Sequence, residues 1–213
     1  MDGLVLDSEA GYFMAWQTAA EQMGCCLSRK FCESLSGMHG PEISQRLLEK
    51  CGADFDIENF YRLSGQIWRQ TVQQNGIPVK SGFYELLGWI RQRGLPYALA
   101  TNSRRADAEQ CLYWAGLDGT FPIIICRGDV AQPKPAPDLF IKSAETLGVK
   151  TSDCLVLEDS PVGIAAAVAA DCPSIFVPSL LPADPKALSQ ASRVMQDLSQ
   201  VAEFLSASFN HPL

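Results

Sequence analysis

Three short polar segments of this sequence carry side chains that can bind a phosphate group and a divalent cation. They are the pair Thr101 and Asn102, the lysine Lys134, and the acidic pair Glu158 and Asp159. Carboxylate oxygens are the ligands that Mg²⁺ prefers in proteins. A lysine neutralises anionic oxygens, and hydroxyl and backbone N–H groups donate hydrogen bonds to them. Together these residue types predict a site for a phosphate group with Mg²⁺.

Each polar segment follows a short apolar run of the kind that forms a buried strand. Those runs are Tyr97–Ala100, Ile123–Cys126 and Cys154–Leu157, and a fourth run is Ser174–Val177. Segments with helical spacing of apolar residues separate the runs, and this alternation predicts an α/β fold, a Rossmann-like parallel sheet covered by helices on both faces. Ligands of such sheets bind beyond the carboxyl ends of the strands. We therefore expect the three polar segments to meet at one edge of the sheet.

The stretch between residues 11 and 79 differs, because it shows helical spacing and no strand-like run. Apolar residues three or four positions apart predict three helices, with Trp16, Leu47 and Phe60 on their apolar faces. The predicted organisation is a core domain with a small all-helical cap inserted near its start. The core comprises residues 1–10 and 80–213, and the cap comprises residues 11–79.

Composition restricts the classes of partner. The 213 residues carry a formal net charge of -7, whereas nucleic-acid-binding proteins present a basic surface. No apolar stretch approaches the ~20 residues of a membrane-spanning helix, and the first residues show no basic segment followed by an apolar one. We therefore expect a cytoplasmic protein with no nucleic-acid partner and no membrane partner.

The eight cysteines form no C-x-x-C pair, so neither a zinc site nor an iron–sulfur site is predicted. Several of them, such as Cys126, lie inside apolar runs. Free cysteines of this kind are usually buried, and disulfides are rare in the cytosol. The pattern therefore predicts buried, reduced thiols, and reduced thiols favour a cytoplasmic protein.

Each candidate site residue also has a purely structural interpretation. Thr101 or Ser103 could cap the helix that follows, and Ser160 is predicted to be such a cap. Glu158 and Asp159 could be a solvated pair favoured at the start of a helix, and Lys134 could be an exposed loop lysine. Their joint placement after predicted strands favours a shared site over three unrelated structural roles.

Four segments resemble the motifs of one family, the haloacid dehalogenase-like hydrolases. Met1–Glu9 is similar to the tail of the first motif, Ala100–Ser103 to the second, Lys134–Phe140 to the lysine motif, and Leu157–Ile164 to the fourth. The subgroup that the chain resembles is the β-phosphoglucomutase-like phosphatases, in which a small helical cap is inserted after the first motif. The resemblance covers the whole chain, and the four motifs occur in the family's order.

The resemblance implies a mechanism through an aspartyl-phosphate. Asp2 would be the general acid and base, and its backbone carbonyl would also bind Mg²⁺. Thr101 would bind the transferring phosphoryl group and Lys134 would balance its charge. Asp159, together with Glu158, would hold Mg²⁺. Asn102 and Lys134 would contribute to substrate binding.

His39 lies between Gly37 and Gly40 in the predicted cap, at a place where such proteins often present specificity residues. It is therefore a candidate substrate-binding residue. An ordinary loop histidine is the structural alternative.

The chain also departs from the family pattern. The nucleophilic aspartate of that pattern would stand one position before Met1, and the apolar strand that leads to it would lie in the middle of the sheet. Each buried apolar side chain contributes roughly 1.5–3 kcal/mol to the free energy of unfolding, so without the side chains of that strand we expect marginal stability. Without the nucleophile we expect a crippled chemical step. A start site assigned too late, a clipped chain and a natural loss of catalysis all remain open. A smaller departure is Asp171, which stands where a helix-ending glycine is usual and can adopt the same left-handed backbone.

The expected function is therefore that of a Mg²⁺-dependent phosphatase acting on a small phosphorylated metabolite. One alternative is a sugar-phosphate mutase of the β-phosphoglucomutase type, which would share every core motif. Another is a non-catalytic binding protein on the same fold. We expect a monomer or a weak homodimer.

Overall fold

The computed structural model describes residues 1–35 and 40–209. The chain divides into two compact units. One is Ser8–Ile77, and the other is Met1–Asp7 together with the chain from Pro78 onward. None of the helices in the described ranges combines the length and the apolarity needed to cross a membrane.

The first unit is helical, and its described residues form four α-helices where the sequence predicted three. They are α1 (Glu9–Gln22), α2 (Arg29–Glu33), α3 (Gly40–Cys51) and α4 (Ile57–Asn75). The additional helix α2 begins because the Ser28 hydroxyl accepts a hydrogen bond from the Phe31 N–H at 3.1 Å. Helices α1 and α4 pack against each other, and Phe13 and Phe60 lie in their shared core.

A disulfide joins Cys25 to Cys51 in this helical unit, with their Cα atoms 5.5 Å apart. The expectation of reduced thiols is therefore wrong for this pair. The two residues are 26 positions apart, and only the packing of the helices brings them within bonding distance. Because disulfides are rare in reducing compartments, the cysteine content no longer supports the cytoplasmic expectation, which stays a prediction.

The second unit is an α/β structure of alternating strands and helices, which confirms the predicted fold class. Its strands are β1 (Leu99–Thr101), β2 (Ile124–Cys126), β3 (Val156–Glu158), β4 (Ser174–Phe176) and β5 (Arg193–Val194). Its helices are α5 (Phe83–Gln92), α6 (Arg105–Trp114), α7 (Asp138–Leu147), α8 (Pro161–Ala169), α9 (Pro185–Gln190) and α10 (Leu198–Phe209).

The strands form two separate parallel sheets among the described residues, where one continuous sheet was expected. Strand β1 pairs with β2, and β3, β4 and β5 pair in that order. The register places Thr101 beside Cys126 and Glu158 beside Phe176. The sheet is interrupted because no described strand lies between β1 and β3. Residues 1–6 form a tight turn instead, in which the Met1 carbonyl accepts hydrogen bonds from the N–H groups of Val5 and Leu6.

Local backbone features agree with two of the sequence predictions. The Ser160 hydroxyl accepts a hydrogen bond from the Gly163 N–H at 3.1 Å and caps α8. Asp171 has a φ of 56° after the end of that helix, so it adopts the left-handed conformation expected of it. Both features fix the path of the chain between β3 and β4.

Gly82 should be essential for the contact between α5 and the start of α10. Its φ is +80°, and a Cβ atom there would overlap the backbone of Leu198 and Ser199. We expect Gly82→Ala to lower the free energy of unfolding by about 1–3 kcal/mol, measured by urea denaturation. Gly88→Ala is the matched control, because a Cβ there meets nothing and should raise stability by roughly 0.5–1 kcal/mol. Equal effects of the two substitutions would contradict the assigned packing.

The thiols should differ in reactivity. Cys26 is exposed, whereas Cys32, Cys111, Cys126 and Cys172 are buried. Burial raises the pKa of Cys111 to about 12 and the pKa values of Cys32 and Cys172 to about 11. We expect a thiol reagent at pH 8 to modify Cys26 first, and Cys26→Ser to remove the fast phase of modification.

The number of reactive thiols tests the disulfide. In the unfolded, unreduced chain, a thiol reagent should modify six thiols, the eight cysteines less the disulfide pair. Eight thiols would show that the disulfide is absent.

Candidate active site

A buried ion pair joins the carboxyl end of β3 to the loop that carries Lys134. The Lys134 ammonium group contacts the Glu158 carboxylate, and the two side chains are only 6% and 7% exposed. The same ammonium group donates a hydrogen bond to the Ala100 carbonyl of β1 at 3.0 Å. One lysine therefore links the ends of two strands that do not pair with each other, and it is not an exposed loop residue.

Asn102 holds the main chain of Lys134 at both polar groups. Its side-chain oxygen accepts a hydrogen bond from the Lys134 N–H at 2.9 Å, and its side-chain amide donates one to the Lys134 carbonyl at 3.1 Å. Asn102 was predicted as a substrate-binding residue. In the structure its amide group positions Lys134, whose ammonium group also lies 4.7 Å from the centre of the Phe140 ring.

Glu158 is fixed from a second side by the start of α8. The Ser160 hydroxyl donates a hydrogen bond to Glu158 Oε2 at 3.1 Å while it caps the helix. A Cβ atom at Gly163 would overlap the Glu158 carboxylate, so the glycine lets this carboxylate approach the helix N-terminus, where negative charge is favoured. Both oxygens of this predicted metal ligand therefore contact protein groups, one of them Lys134 and the other Ser160.

Asp2 and Thr101 are brought together through Ser103. The Ser103 hydroxyl lies 3.3 Å from Asp2 Oδ2, and the Ser103 N–H donates to the Thr101 hydroxyl at 3.1 Å. Thr101 is buried at the end of β1. The residue that precedes α6 is Arg104, without a side-chain capping bond, so the capping role considered for Thr101 and Ser103 is wrong.

Asp159 lies beside the turn that follows Asp2. Gly3 has a φ of +76°, and a Cβ atom there would overlap the Asp159 carboxylate. Burial, followed by the charge of Glu158, raises the pKa of Asp159 to about 6, although the Met1 ammonium group and the Ser179 hydroxyl oppose this shift. The negative charge of Asp159 is therefore poorly compensated by the protein.

These carboxylates fit an oxygen-ligated divalent cation. Within residues 1–35 and 40–209, no three His, Cys, Asp or Glu side chains cluster closely enough to form a complete metal site by themselves. Asp159 nevertheless supplies an oxygen donor whose pKa is raised by burial and by the charge of Glu158, and a cation beside it would favour the ionised form. Mg²⁺ suits such a site because it usually takes one or two carboxylates and fills its remaining positions with water and phosphate oxygens.

Several other polar residues have structural partners. The Asp129 carboxylate binds the Arg105 guanidinium at 2.7 Å and the Cys126 N–H at 2.8 Å, and these contacts lower the pKa of Asp129. Lys80 lies 3.9 Å from Asp7. The candidate residue His39 lies outside the described residues.

Sequence reasoning missed two contributors to the site. Ser103 contacts Asp2, and Ser179 donates a hydrogen bond to Asp159 that lowers its pKa. Ser179 follows the carboxyl end of β4, so the rule that located the other segments applies to it as well. The position of Ser179 after the apolar run Ser174–Val177 is the sequence signal that identifies it.

Comparison with known proteins identifies the family that the chain's sequence matches. The family model described as haloacid dehalogenase-like hydrolase matches residues 1–177. A fructose-1-phosphate phosphatase of Escherichia coli K12 is 30% identical over 177 residues, which cover 83% of this chain and 93% of that protein.

Solved structures show the same fold over nearly the whole chain. A family hydrolase from Deinococcus radiodurans R1, crystallised with phosphate and sodium, superposes with a TM-score of 0.82 at 26% identity, covering 98% of this chain and 93% of that one. A β-phosphoglucomutase from Clostridium difficile superposes with a TM-score of 0.68 at 25% identity, covering 98% and 94%. The resemblance predicted from the four motifs is confirmed, and the chain belongs to the haloacid dehalogenase-like hydrolases.

Proposed function

We propose that this protein binds a small phosphorylated metabolite and hydrolyses its phosphoric monoester in a Mg²⁺-dependent reaction. The observation that carries the proposal is the buried contact between Lys134 and Glu158 where β1 and β3 end. An ammonium group held out of water at the ends of β1 and β3, where Thr101 ends one strand and Asp159 follows the other, is suited to an anion with several charged oxygens. The fructose-1-phosphate phosphatase among the relatives makes sugar phosphates the first substrate class to screen.

Each residue of the site would have its own role in catalysis. The Lys134 ammonium group balances charge on the phosphoryl oxygens, and the Thr101 hydroxyl and nearby N–H groups orient them. Asp2, which accepts a hydrogen bond from the Ser103 hydroxyl, donates a proton to the leaving oxygen and then accepts one from the attacking water. Phosphoryl transfer depends on such positioning and charge neutralisation more than on further covalent help.

Mg²⁺ would be held by the Asp159 carboxylate and the Asp2 carbonyl, with Glu158 nearby. When bound, the ion would neutralise negative charge on the phosphate and so would allow anionic groups to approach it. The nucleophilic aspartate of the family pattern corresponds to the position before Met1. The roles assigned to Asp2, Thr101 and Lys134 hold for a chain that carries such a residue there.

A sugar-phosphate mutase is the second candidate, and the likeness to the Clostridium difficile β-phosphoglucomutase supports it. The two reactions share the phosphoryl site and differ in what accepts the phosphoryl group. Incubation with a sugar phosphate separates them, because a phosphatase releases inorganic phosphate whereas a mutase accumulates an isomeric sugar phosphate.

Lys134 should be required for phosphate binding, which can be tested on the present chain. We expect Lys134→Met to weaken the binding of inorganic phosphate in the presence of Mg²⁺ at least about tenfold, a loss of about 1.4 kcal/mol, measured by calorimetry. Lys142→Met is the matched control, because Lys142 is half-exposed and forms only a surface pair with Glu145 at 3.7 Å.

A folding defect must be separated from this binding defect. Lys134→Met alone leaves the Glu158 charge buried without its partner and should destabilise the fold by about 3–5 kcal/mol. Combining it with Glu158→Gln should recover much of that stability without recovering phosphate binding. Undiminished phosphate binding in the double variant would refute the role assigned to Lys134.

The hydrolytic proposal is tested with p-nitrophenyl phosphate and Mg²⁺. The chain starting at Met1 is compared with a version extended by an apolar strand that ends in aspartate immediately before Met1. We expect the extended version to be active, and Asp2→Asn in that version to lower kcat by about 10²–10⁴-fold through loss of general acid and base catalysis. Lack of hydrolysis by both versions, with sugar phosphates tried as well, would end the phosphatase proposal.

A further inference from the structure

The disulfide between Cys25 and Cys51 joins the turn after α1 to the end of α3 within the helical unit Ser8–Ile77. Cys25 is fixed in that turn, because its N–H donates a hydrogen bond to the Ala20 carbonyl of α1 at 2.8 Å. Cys51 is the last residue of α3. The bond therefore attaches one end of α3 to a fixed point on α1.

Few apolar side chains hold α3 in place. Of its twelve residues, all of which the structure describes, only Leu47 is buried, whereas α1 and α4 each bury four residues. Ile43 and Cys51 are partly buried against the same core. Toward the start of α3, the Ser44 hydroxyl lies 3.1 Å from the Tyr61 hydroxyl of α4, so a hydrogen bond supports that end. The disulfide secures the other end.

The remaining surface of α3 is solvated, and its exposed residues include Glu42, Arg46, Glu49 and Lys50. Undocking the helix would therefore expose only a narrow apolar stripe. Isolated helices shorter than about 12–15 residues are marginal in water, so we expect α3 to open once it is detached. A disulfide opposes such opening because it limits the freedom of the open chain.

The disulfide lies where a thiol from solvent can approach it. Cys25 and Cys51 are both partly exposed. The neighbouring Cys26 is exposed, whereas Cys32 of the same unit is buried. Exchange begins when a thiolate attacks a disulfide sulfur, so its rate depends on access to that sulfur. The partial exposure of both bonded residues provides access without unfolding of the core.

We propose that the Cys25–Cys51 bond is a reversible redox-modification site, that a dithiol reductant opens it in the folded protein, and that opening it releases α3 from the helical unit. One thiolate of the dithiol attacks one sulfur of the bond and forms a mixed disulfide, while the other sulfur leaves as a thiolate and takes up a proton. The second thiolate of the dithiol then displaces the remaining cysteine. The dithiol is oxidised to a disulfide by the loss of two electrons and two protons, and two cysteine thiols form.

Trypsin can report the release of α3, because Arg46 and Lys50 are cleavage sites within that helix. The full chain is reduced with dithiothreitol at pH 8 without denaturant, its thiols are blocked with iodoacetamide, and the tryptic fragments are followed by mass spectrometry. We expect cleavage after Arg46 and Lys50 to become at least about tenfold faster than in the oxidised chain, since proteolysis follows the population of the open form. Cleavage after Arg62 and Arg69 should stay unchanged, because they lie in α4, which packs against α1.

Variants separate this bond from the other thiols. The double variant Cys25→Ser with Cys51→Ser should show the fast cleavage within α3 without any reductant, and dithiothreitol should not change it. Cys26→Ser is the matched control, because Cys26 is next to Cys25 but is exposed and forms no disulfide. It should respond to dithiothreitol as the unaltered chain does. If the double variant lost its fold, cleavage in α4 would rise as well, and the reduced unaltered chain would then decide the question.

Reversibility is tested by removing dithiothreitol before the thiols are blocked and adding oxidised glutathione, which should restore slow cleavage. A bond that dithiothreitol reduces only in the presence of urea would be a permanent structural disulfide and would overturn the proposal. So would reduction that leaves cleavage within α3 unchanged, reduction that accelerates cleavage in α3 and α4 equally, or failure of oxidised glutathione to restore slow cleavage. None of these measurements uses phosphate or Mg²⁺, so their failure is distinct from failure of the phosphatase proposal.

Discussion

The contact between the Lys134 ammonium group and the Glu158 carboxylate constrains how the Lys134 loop and the ends of β1 and β3 come together. Two opposite charges with side chains 6% and 7% exposed can remain out of water only if each keeps its partner. The partners come from segments 24 residues apart, so the loop around Lys134 must return to the end of β3. The Asn102 clamp on the Lys134 backbone and the Ser160 contact with Glu158 hold the two groups in that position.

Two neighbouring carboxylates, Glu158 and Asp159, share this region with one lysine, and the excess of negative charge favours the binding of a cation. Glu158 is matched by Lys134, but Asp159 stands next to it, and the pKa of Asp159 is raised to about 6 by burial and by that neighbour. A carboxyl group with a raised pKa opposes folding when it is ionised, so this cost is absent at low pH and grows as the pH rises through about 6. A divalent cation offsets such a cost and at the same time attracts phosphate oxygens. The free-energy cost of ionising Asp159 is therefore coupled to the binding of a divalent cation.

The site could be located from the sequence because parallel sheets bind their ligands beyond the carboxyl ends of the strands, and polar residues follow those ends here. The runs ending near Ala100, Cys126 and Leu157 were recognisable by apolar content alone, although the hydrogen-bonded strands begin two residues later than predicted for β1 and β3 and one residue later for β2. The residue types did not reveal which polar groups face each other, so they predicted neither the Asn102 contact with the Lys134 backbone nor the Ser179 contact with Asp159. Strand β5 escaped prediction because Arg193 and Val194 are both exposed and form no apolar run. The Cys25–Cys51 bond depends on helix packing that spacing does not encode.

The candidate phosphate site lies where β1 and β3 end without pairing with each other. The Ala100 carbonyl of β1 accepts a hydrogen bond from the Lys134 ammonium group. The same ammonium group binds Glu158 at the end of β3. One side chain therefore bridges two strands whose backbones do not pair. The spacing between the ends of β1 and β3, and with it the arrangement of Thr101 and Asp159, therefore depends on this lysine and not on backbone pairing between the two strands.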